Sequence, residues 1–329
     1  MTKILVIRFS SIGDIVLTSP VLRCIKEQLP NVELHVLTKK QFSDLYSTNP
    51  HVDFVHEWGE DNHLVLADLK VAGFDYVIDL HKNLRTSKIK SNLRKESFSF
   101  PKLNVQKWLY VNFKWNLMPD IHIVDRYFEA VKPIGVKNDN KGLDFRIKID
   151  FISFSKRFPT KGKYLAVAIG AQFATKRMPA EQMSEVLRDI SLPIVIVGGP
   201  GDREEAEKIK QLLPNQNINN TCGGLSIHES AQVVKDAQLL ITNDTGMMHI
   251  ASAFELPIVS IWGNTVPDFG MYPYRPQSPN SYSIHEVKGL SCRPCSKIGF
   301  SKCPKKHFKC MVDQDIVGIK AQIETFLKG

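Results

Sequence analysis

The sequence predicts an α/β chain built as two doubly wound, Rossmann-like halves, each a parallel sheet covered by helices. Three observations carry this. Short apolar runs alternate with helix-length amphipathic segments, the pattern of a parallel sheet with crossover helices. The rhythm breaks between Phe145 and Lys163, at the basic stretch Lys156-Arg157-Phe158-Pro159-Thr160-Lys161-Gly162-Lys163, read as a linker, and then begins again. The chain has 329 residues with 43% hydrophobic content, while single cores stop growing at about 250–300 residues. The expected division is residues 1–157, residues 158–312 and a terminal helix over 313–329 that packs back on the first half or stays with the second. Two such halves put a cleft between them.

In chain order, Lys3 to Phe9 reads as the first strand. A helix follows from Pro20 to Gln28, with Ser19 as its cap and proline at its first position. Glu33 to Thr38, Val52 to Glu57 and Tyr76 to Leu80 are further strands, with an amphipathic helix from Asn62 to Ala72. In the second half, Tyr164 to Ile169, Pro193 to Val197, Leu239 to Thr242 and Pro257 to Ile261 are strands. Helices from Pro179 to Asp189, Asp202 to Leu213 and Ser226 to Asp236 are interleaved with them.

The loops beyond the strand ends carry the chemistry, because open α/β sheets bind ligands outside their carboxyl edge. Thr242-Asn243-Asp244-Thr245-Gly246-Met247-Met248-His249 lies between two apolar runs and starts a helix at Gly246. A helix start offers unpaired N–H groups, and glycine lets an anion approach the backbone. Asp244 and Thr245 can cap that helix or bond a ligand hydroxyl, and His249 is expected one turn in, facing the same mouth. The plainer reading is a capped helix with a surface histidine.

Arg8-Phe9-Ser10-Ser11-Ile12-Gly13-Asp14 ends the first strand. It lacks the three-glycine spacing of a dinucleotide site, so no such cofactor is expected. Asp14 is the best candidate for a carboxylate base, against the plainer role of capping the next helix. Gly170-Ala171 and Thr175-Lys176-Arg177-Met178-Pro179 form a turn and a basic helix entry, in which Thr175 and Lys176 can meet a diphosphate. Gly198-Gly199-Pro200-Gly201-Asp202 is a further turn, whose Asp202 either holds a ribose or base or serves the turn itself.

A formal charge of +9 points to an anionic partner without choosing among nucleic acid, an acidic membrane and a phosphorylated small molecule. The first apolar run, Ile4 to Ile7, is too short for a secretory signal, and no run is long enough to span a bilayer. A cytoplasmic protein is expected. Cys24 and Cys222 read as buried thiols. Cys292, Cys295, Cys303 and Cys310 have the spacing of either a structural zinc site or a cluster of reduced thiols.

Taken in register, the Arg8–Asp14 loop, the Gly170–Pro179 segment and Asp244-Thr245-Gly246-Met247-Met248-His249-Ile250-Ala251 resemble the heptosyltransferases of glycosyltransferase family nine. The resemblance covers nearly the whole chain and includes the Cys-rich segment ending in Cys310-Met311. It implies a GT-B fold: two Rossmann-like domains facing across a cleft, the acceptor on the first and a nucleotide sugar on the second, with inversion at the anomeric carbon. By the same resemblance Asp14 acts as base on the acceptor hydroxyl; Ser10, Ser11 and Gly13 of the same loop are expected to bind the acceptor. Lys176 contacts donor phosphate, and Asp244, Thr245, Gly246 and His249 line the donor pyrophosphate; Gly170, Ala171, Thr175 and Asp202, from the loops read above, are expected to bind the donor with them. No cofactor and no catalytic metal are implied. Met178 departs from the tryptophan common before that proline, and Ala171-Gln172 from a pair of threonines, which leaves base and sugar open.

The implied donor is ADP-heptose, and the implied acceptor is lipopolysaccharide core or a lipid A-linked precursor. A monomer at the inner face of the inner membrane, without nucleic acid, is expected. Lys82, Arg85, Lys88, Lys90, Arg94, Lys95, Lys102, Lys107 and Lys114, close to Trp108, Tyr110, Phe113 and Trp115, either meet such an anionic acceptor or membrane or form a solvated face over core aromatics. The rival readings are a nucleotide-sugar epimerase of the same fold and a basic nucleic-acid-binding protein.

Overall fold

A computed structural model describes residues 1–158 and 162–328; Pro159, Thr160 and Lys161 of the expected linker lie outside the described residues, as does Gly329. Two compact units result. Met1–Leu103 and Ile121–Arg146 form the first, and Asn104–Asp120 with Ile147–Gly329 the second. Segment 104–120, which sequence alone leaves in the first half, thus groups with the second.

The first unit is built on β1 (Thr2–Ile7), β2 (Val32–Lys39), β3 (Phe54–Trp58), β4 (Tyr76–Asp79) and β5 (Glu96–Ser99). All pair in parallel, in the order β3-β2-β1-β4-β5. β1 is central, and its run Ile4-Leu5-Val6-Ile7 is wholly buried, as a strand covered on both faces requires. The helix Asn62–Ala72 spans the expected residues and ends at Gly73, whose φ of 69° is the left-handed stop that glycine accepts without strain. The helix Ser19–Gln28 starts one residue earlier than expected. Thr18 is its cap residue, while the Ser19 hydroxyl donates to the Val16 carbonyl and accepts the Asp144 amide.

The second unit holds β6 (Leu165–Ala168), β7 (Ile194–Val197), β8 (Ile218–Asn220), β9 (Leu239–Asn243), β10 (Ile258–Trp262) and β11 (Tyr282–Glu286). These also pair in parallel, in the order β11-β10-β9-β6-β7-β8. Alternate residues feed two cores. Leu165, Val167, Ile194, Ile196, Leu239 and Ile241 pack on one face, and Ala166, Ala168, Val195, Val197, Leu240 and Ile258 on the other.

The terminal helix Ile316–Lys328 buries Ile319 and Ile323 in the first of these cores, against β9, β10 and the helix Ala180–Leu187. It belongs to the second unit rather than returning to the first. Inside the expected linker lies a short helix, Phe151–Arg157, whose first amides at Ile152 and Ser153 are capped by the Asp150 carboxylate. Among the described residues no helix is long and apolar enough to cross a membrane.

Candidate functional site

In each sheet the chain order reverses at one pair of neighbours, β1/β4 in the first and β6/β9 in the second. Ligands of open α/β sheets bind at that switch point. Three of the loops singled out by sequence start there, after β1, β6 and β9, while the Gly198–Asp202 turn follows β7, the neighbour of β6.

Beyond β1, Arg8 turns into the protein and is nearly fully buried. Its guanidinium donates to the Ser10 carbonyl at 2.8 Å, the Leu80 carbonyl at 2.5 Å and the Tyr127 hydroxyl at 3.0 Å. It also pairs with Asp14 Oδ1 at 2.6 Å. Burial opposes its charge, but Asp14, followed by Tyr127 and Tyr46, outweighs that and holds Arg8 ionised above its usual range. The second Asp14 oxygen accepts the Ser11 amide at 3.1 Å and the Ser11 hydroxyl at 2.9 Å. Asp14 therefore serves the start of the helix Ile12–Val16, as the plainer reading expected, while its carboxylate keeps 21% of its surface in water. Gly13 is buried in that first turn.

Beyond β4, Asp79 Oδ1 accepts the His81 and Lys82 amides at 3.0 and 2.7 Å, which folds this loop back beside Arg8. Burial, reinforced by the charges of Arg8 and Lys102, lowers His81 to about 4, so the ring is neutral near pH 7.

In the second unit Lys176 reaches from the turn after β6 to Asp244 after β9, with Nζ 2.5 Å from Oδ2. The same oxygen accepts the Thr265 hydroxyl at 2.7 Å. Asn243 joins the two strand ends, donating to the Ile169 carbonyl at 2.8 Å and accepting the Met178 amide at 3.2 Å. Thr245 caps the helix Gly246–Ser252 by accepting the Met247 amide at 3.1 Å. A lysine, a carboxylate and the first amides of a helix thus share one switch point. A diphosphate would find both a cation and N–H donors there.

Four candidates are committed to the scaffold around this point. The Thr175 hydroxyl donates to the Phe300 carbonyl at 3.2 Å and accepts the Phe300 amide at 2.8 Å. Asp202 is buried, accepts the Gly199 amide at 2.8 Å and pairs with Arg177 at 3.3 Å. A Cβ on Gly170 would come within 2.3 Å of the Asp202 carboxylate, so glycine there permits this packing. The Ala171 carbonyl accepts Arg177. His249 is buried at 2% exposure and is not a surface histidine.

The sequence reading gave no role to Arg8, Tyr127, Asn243 or Thr265. Arg8 left one visible signal, a cation directly after an apolar strand. Tyr127 left none, being far away in the chain.

The Cys-rich segment braces the second site. Arg293 pairs with Glu286 at 2.6 Å and donates to the Gly263 and Thr265 carbonyls at 2.5 and 2.7 Å, and Phe300 holds Thr175. Its four cysteines are unbridged, with Cys292 Sγ 3.8 Å from His307 Nε2. Burial pushes the Cys310 thiol up to about 12. Among the described residues no group of three or more His, Cys, Asp or Glu is placed to hold a metal ion.

Of the basic stretch, several cations are used internally. Lys82 donates to the Phe100 carbonyl, Lys90 pairs with Asp79, Lys102 donates to the His81 and Lys82 carbonyls, and Arg85 lies over the Phe9 ring.

Residues 65–300 match the sequence profile of glycosyltransferase family 9 (heptosyltransferase). Lipooligosaccharide heptosyltransferase 2 of Campylobacter jejuni is 28% identical over 310 residues, covering 92% of each chain. Among solved structures, the family 9 glycosyltransferase of Veillonella parvula superposes with a TM-score of 0.76 at 20% identity over 99% of this chain and 97% of that one. ADP-heptose lipopolysaccharide heptosyltransferase II of Escherichia coli gives 0.74 at 17% identity over 99% of both. The structures support the two-sheet GT-B-like fold, and the profile spans most of the sequence. The chain belongs to glycosyltransferase family 9, the heptosyltransferases.

Proposed function

We propose that this chain transfers a heptose from ADP-heptose to a lipopolysaccharide core or lipid A-linked acceptor, with inversion and with Asp14 as general base. The observation that carries the reading is the Lys176–Asp244 pair beside the start of the Gly246–Ser252 helix, at the second unit's switch point. In the reaction, the acceptor oxygen forms a bond to the anomeric carbon while the bond from that carbon to the diphosphate oxygen breaks. Negative charge then grows on the leaving ADP, where Lys176 and the helix amides stabilise it. Asp14 takes the acceptor hydroxyl proton. Held on one oxygen by Arg8 and on the other by Ser11, it is oriented before substrate arrives. The sugar, the nucleotide and the lipooligosaccharide or lipopolysaccharide class of product are taken from the related heptosyltransferases.

The test is transfer from ADP-heptose to a heptose-deficient core lipid, followed by mass spectrometry of the lipid and by the anomeric configuration of the product. A single added heptose of inverted configuration is expected. A retained configuration would remove single displacement, and a free sugar isomer formed without acceptor would replace transfer by epimerisation.

A further inference from the structure

The second unit carries an exposed face that donor binding does not use. The helix Asn104–Phe113 rests on its own unit through Tyr110, edge-on to Phe269 at 6.0 Å, and through Lys107 over the same ring. Its other side and the turn after it present large rings to water. Trp108, Phe113 and Trp115 are 49%, 51% and 62% exposed. They nevertheless touch each other, Trp108 to Phe113 at 5.3 Å and Phe113 to Trp115 at 5.4 Å, so they form one patch rather than scattered apolar residues. Lys114, between Phe113 and Trp115, ties this turn to the Cys-rich segment by donating to the Pro294 carbonyl at 2.8 Å.

That segment is strongly cationic. From Val287 to Val312 there is no acidic residue, and Lys288, Lys297, Lys302, Lys305, Lys306 and Lys309 are all exposed. Among the described residues none of these six has an acidic partner. Ile298 is 60% exposed in their midst. Tryptophans beside apolar side chains, on a turn bonded to a lysine-rich segment without counter-charges, are what the headgroup layer of an anionic bilayer accommodates. A soluble acidic protein would complement the charge but would offer no layer for two indoles to enter.

We propose that the second unit docks on an anionic lipid bilayer through the Trp108–Phe113–Trp115 patch and the lysine-rich segment 297–309. This surface keeps the aromatics of the stretch expected from sequence but takes its charge from 297–309, because several cations at 82–102 in the first unit are spent internally. Docking does not depend on the transfer reaction, so its test contains neither donor nor acceptor.

The full chain is sedimented with vesicles of phosphatidylcholine alone and of phosphatidylcholine with phosphatidylglycerol, at low and at physiological salt, while tryptophan emission is recorded with brominated acyl chains. Binding to the anionic vesicles only, weakened by salt, with quenching by shallow bromines, is expected. Each lysine near such a surface contributes roughly fivefold. K302E/K305E/K306E should therefore lower partitioning on the order of a hundredfold. W108S/F113S/W115S should keep some salt-sensitive association but lose the quenching. Absence of anionic-vesicle binding at low salt would overturn the proposal. So would binding unchanged in both variants, or concentration-dependent dimerisation abolished by W108S, which would make a second copy the occupant.

Discussion

At the scale of single residues, the second site depends on one shared oxygen. Lys176 and Thr265 both bond Asp244 Oδ2, so without a ligand the lysine is neutralised by a carboxylate that an incoming diphosphate must compete with. Lys176→Ala removes the cation and leaves Asp244 facing the phosphates. Hydrogen bonds to charged groups contribute about 1.5–3 kcal/mol. ADP affinity should fall roughly 10- to 100-fold by calorimetry. Adding Asp244→Asn removes the repulsion, and the double variant should bind ADP more tightly than Lys176→Ala alone. An unchanged affinity in Lys176→Ala would make this lysine a scaffold charge. In the first unit Arg8 has the corresponding position, a buried cation that fixes Asp14 without being consumed by it.

At the scale of elements, the helix Ser19–Gln28 is fastened to the segment 139–144 through Arg23. Its guanidinium bonds Asp139 at 2.9 and 2.8 Å and also pairs with Asp144. Burial would raise the Asp139 carboxyl, and Arg23 overrides this, holding it at about 2. Breaking a fully buried pair costs about 3–5 kcal/mol, and partial exposure of Asp144 reduces that. Arg23→Met should therefore lower unfolding free energy by about 2–3 kcal/mol in urea melts. A change within error would show that the clamp is ornamental.

Histidine on β3 and after β4 sets an acid limit. Burial lowers His56 and His81 to about 4, with the His35 charge adding to the first and the Arg8 charge to the second. Their unfolded forms take up protons below about 6.5. The unfolded chain binds more protons between pH 6.5 and about 4, so stability should fall as pH drops through that window and be insensitive to these groups above it. His56→Phe and His81→Phe should flatten the fall, and an unchanged pH profile would argue against it.

Most elements were legible because their apolar runs are continuous, as at Ile4 to Ile7 and Leu239 to Ile241. The strands that were not legible, β5 (Glu-Ser-Phe-Ser), β8 (Ile-Asn-Asn) and β11 (Tyr-Ser-Ile-His-Glu), are all at sheet edges, where one neighbour suffices and no buried run is needed. The candidate site was partly legible for the same reason: loops after buried strands announce themselves, whereas Tyr127 and Thr265 join through tertiary contact. The aromatics at 108–115 fit either a membrane-facing surface or core by type, and the fold exposes Trp108, Phe113 and Trp115.

At the scale of the whole molecule, both sheets place a charged cluster at their switch point, with Arg8 and Asp14 in one unit and Lys176 and Asp244 in the other. The cations behind the formal charge of +9 include the Lys176 pair, internal clamps such as Arg8 and Arg23, and the lysine-rich segment, so charge by itself names no single partner. Under the proposed function, proton transfer belongs to the first unit and leaving-group stabilisation to the second, and the two should separate experimentally. General-base removal costs about 10²–10⁴ in rate. The most direct measurement is acceptor-dependent ADP release from ADP-heptose by wild type and Asp14→Asn, with ADP affinity measured on the same samples. Turnover at least about 100-fold slower, with ADP affinity within about twofold of wild type, is expected; near-normal turnover in Asp14→Asn would contradict a general-base role for Asp14.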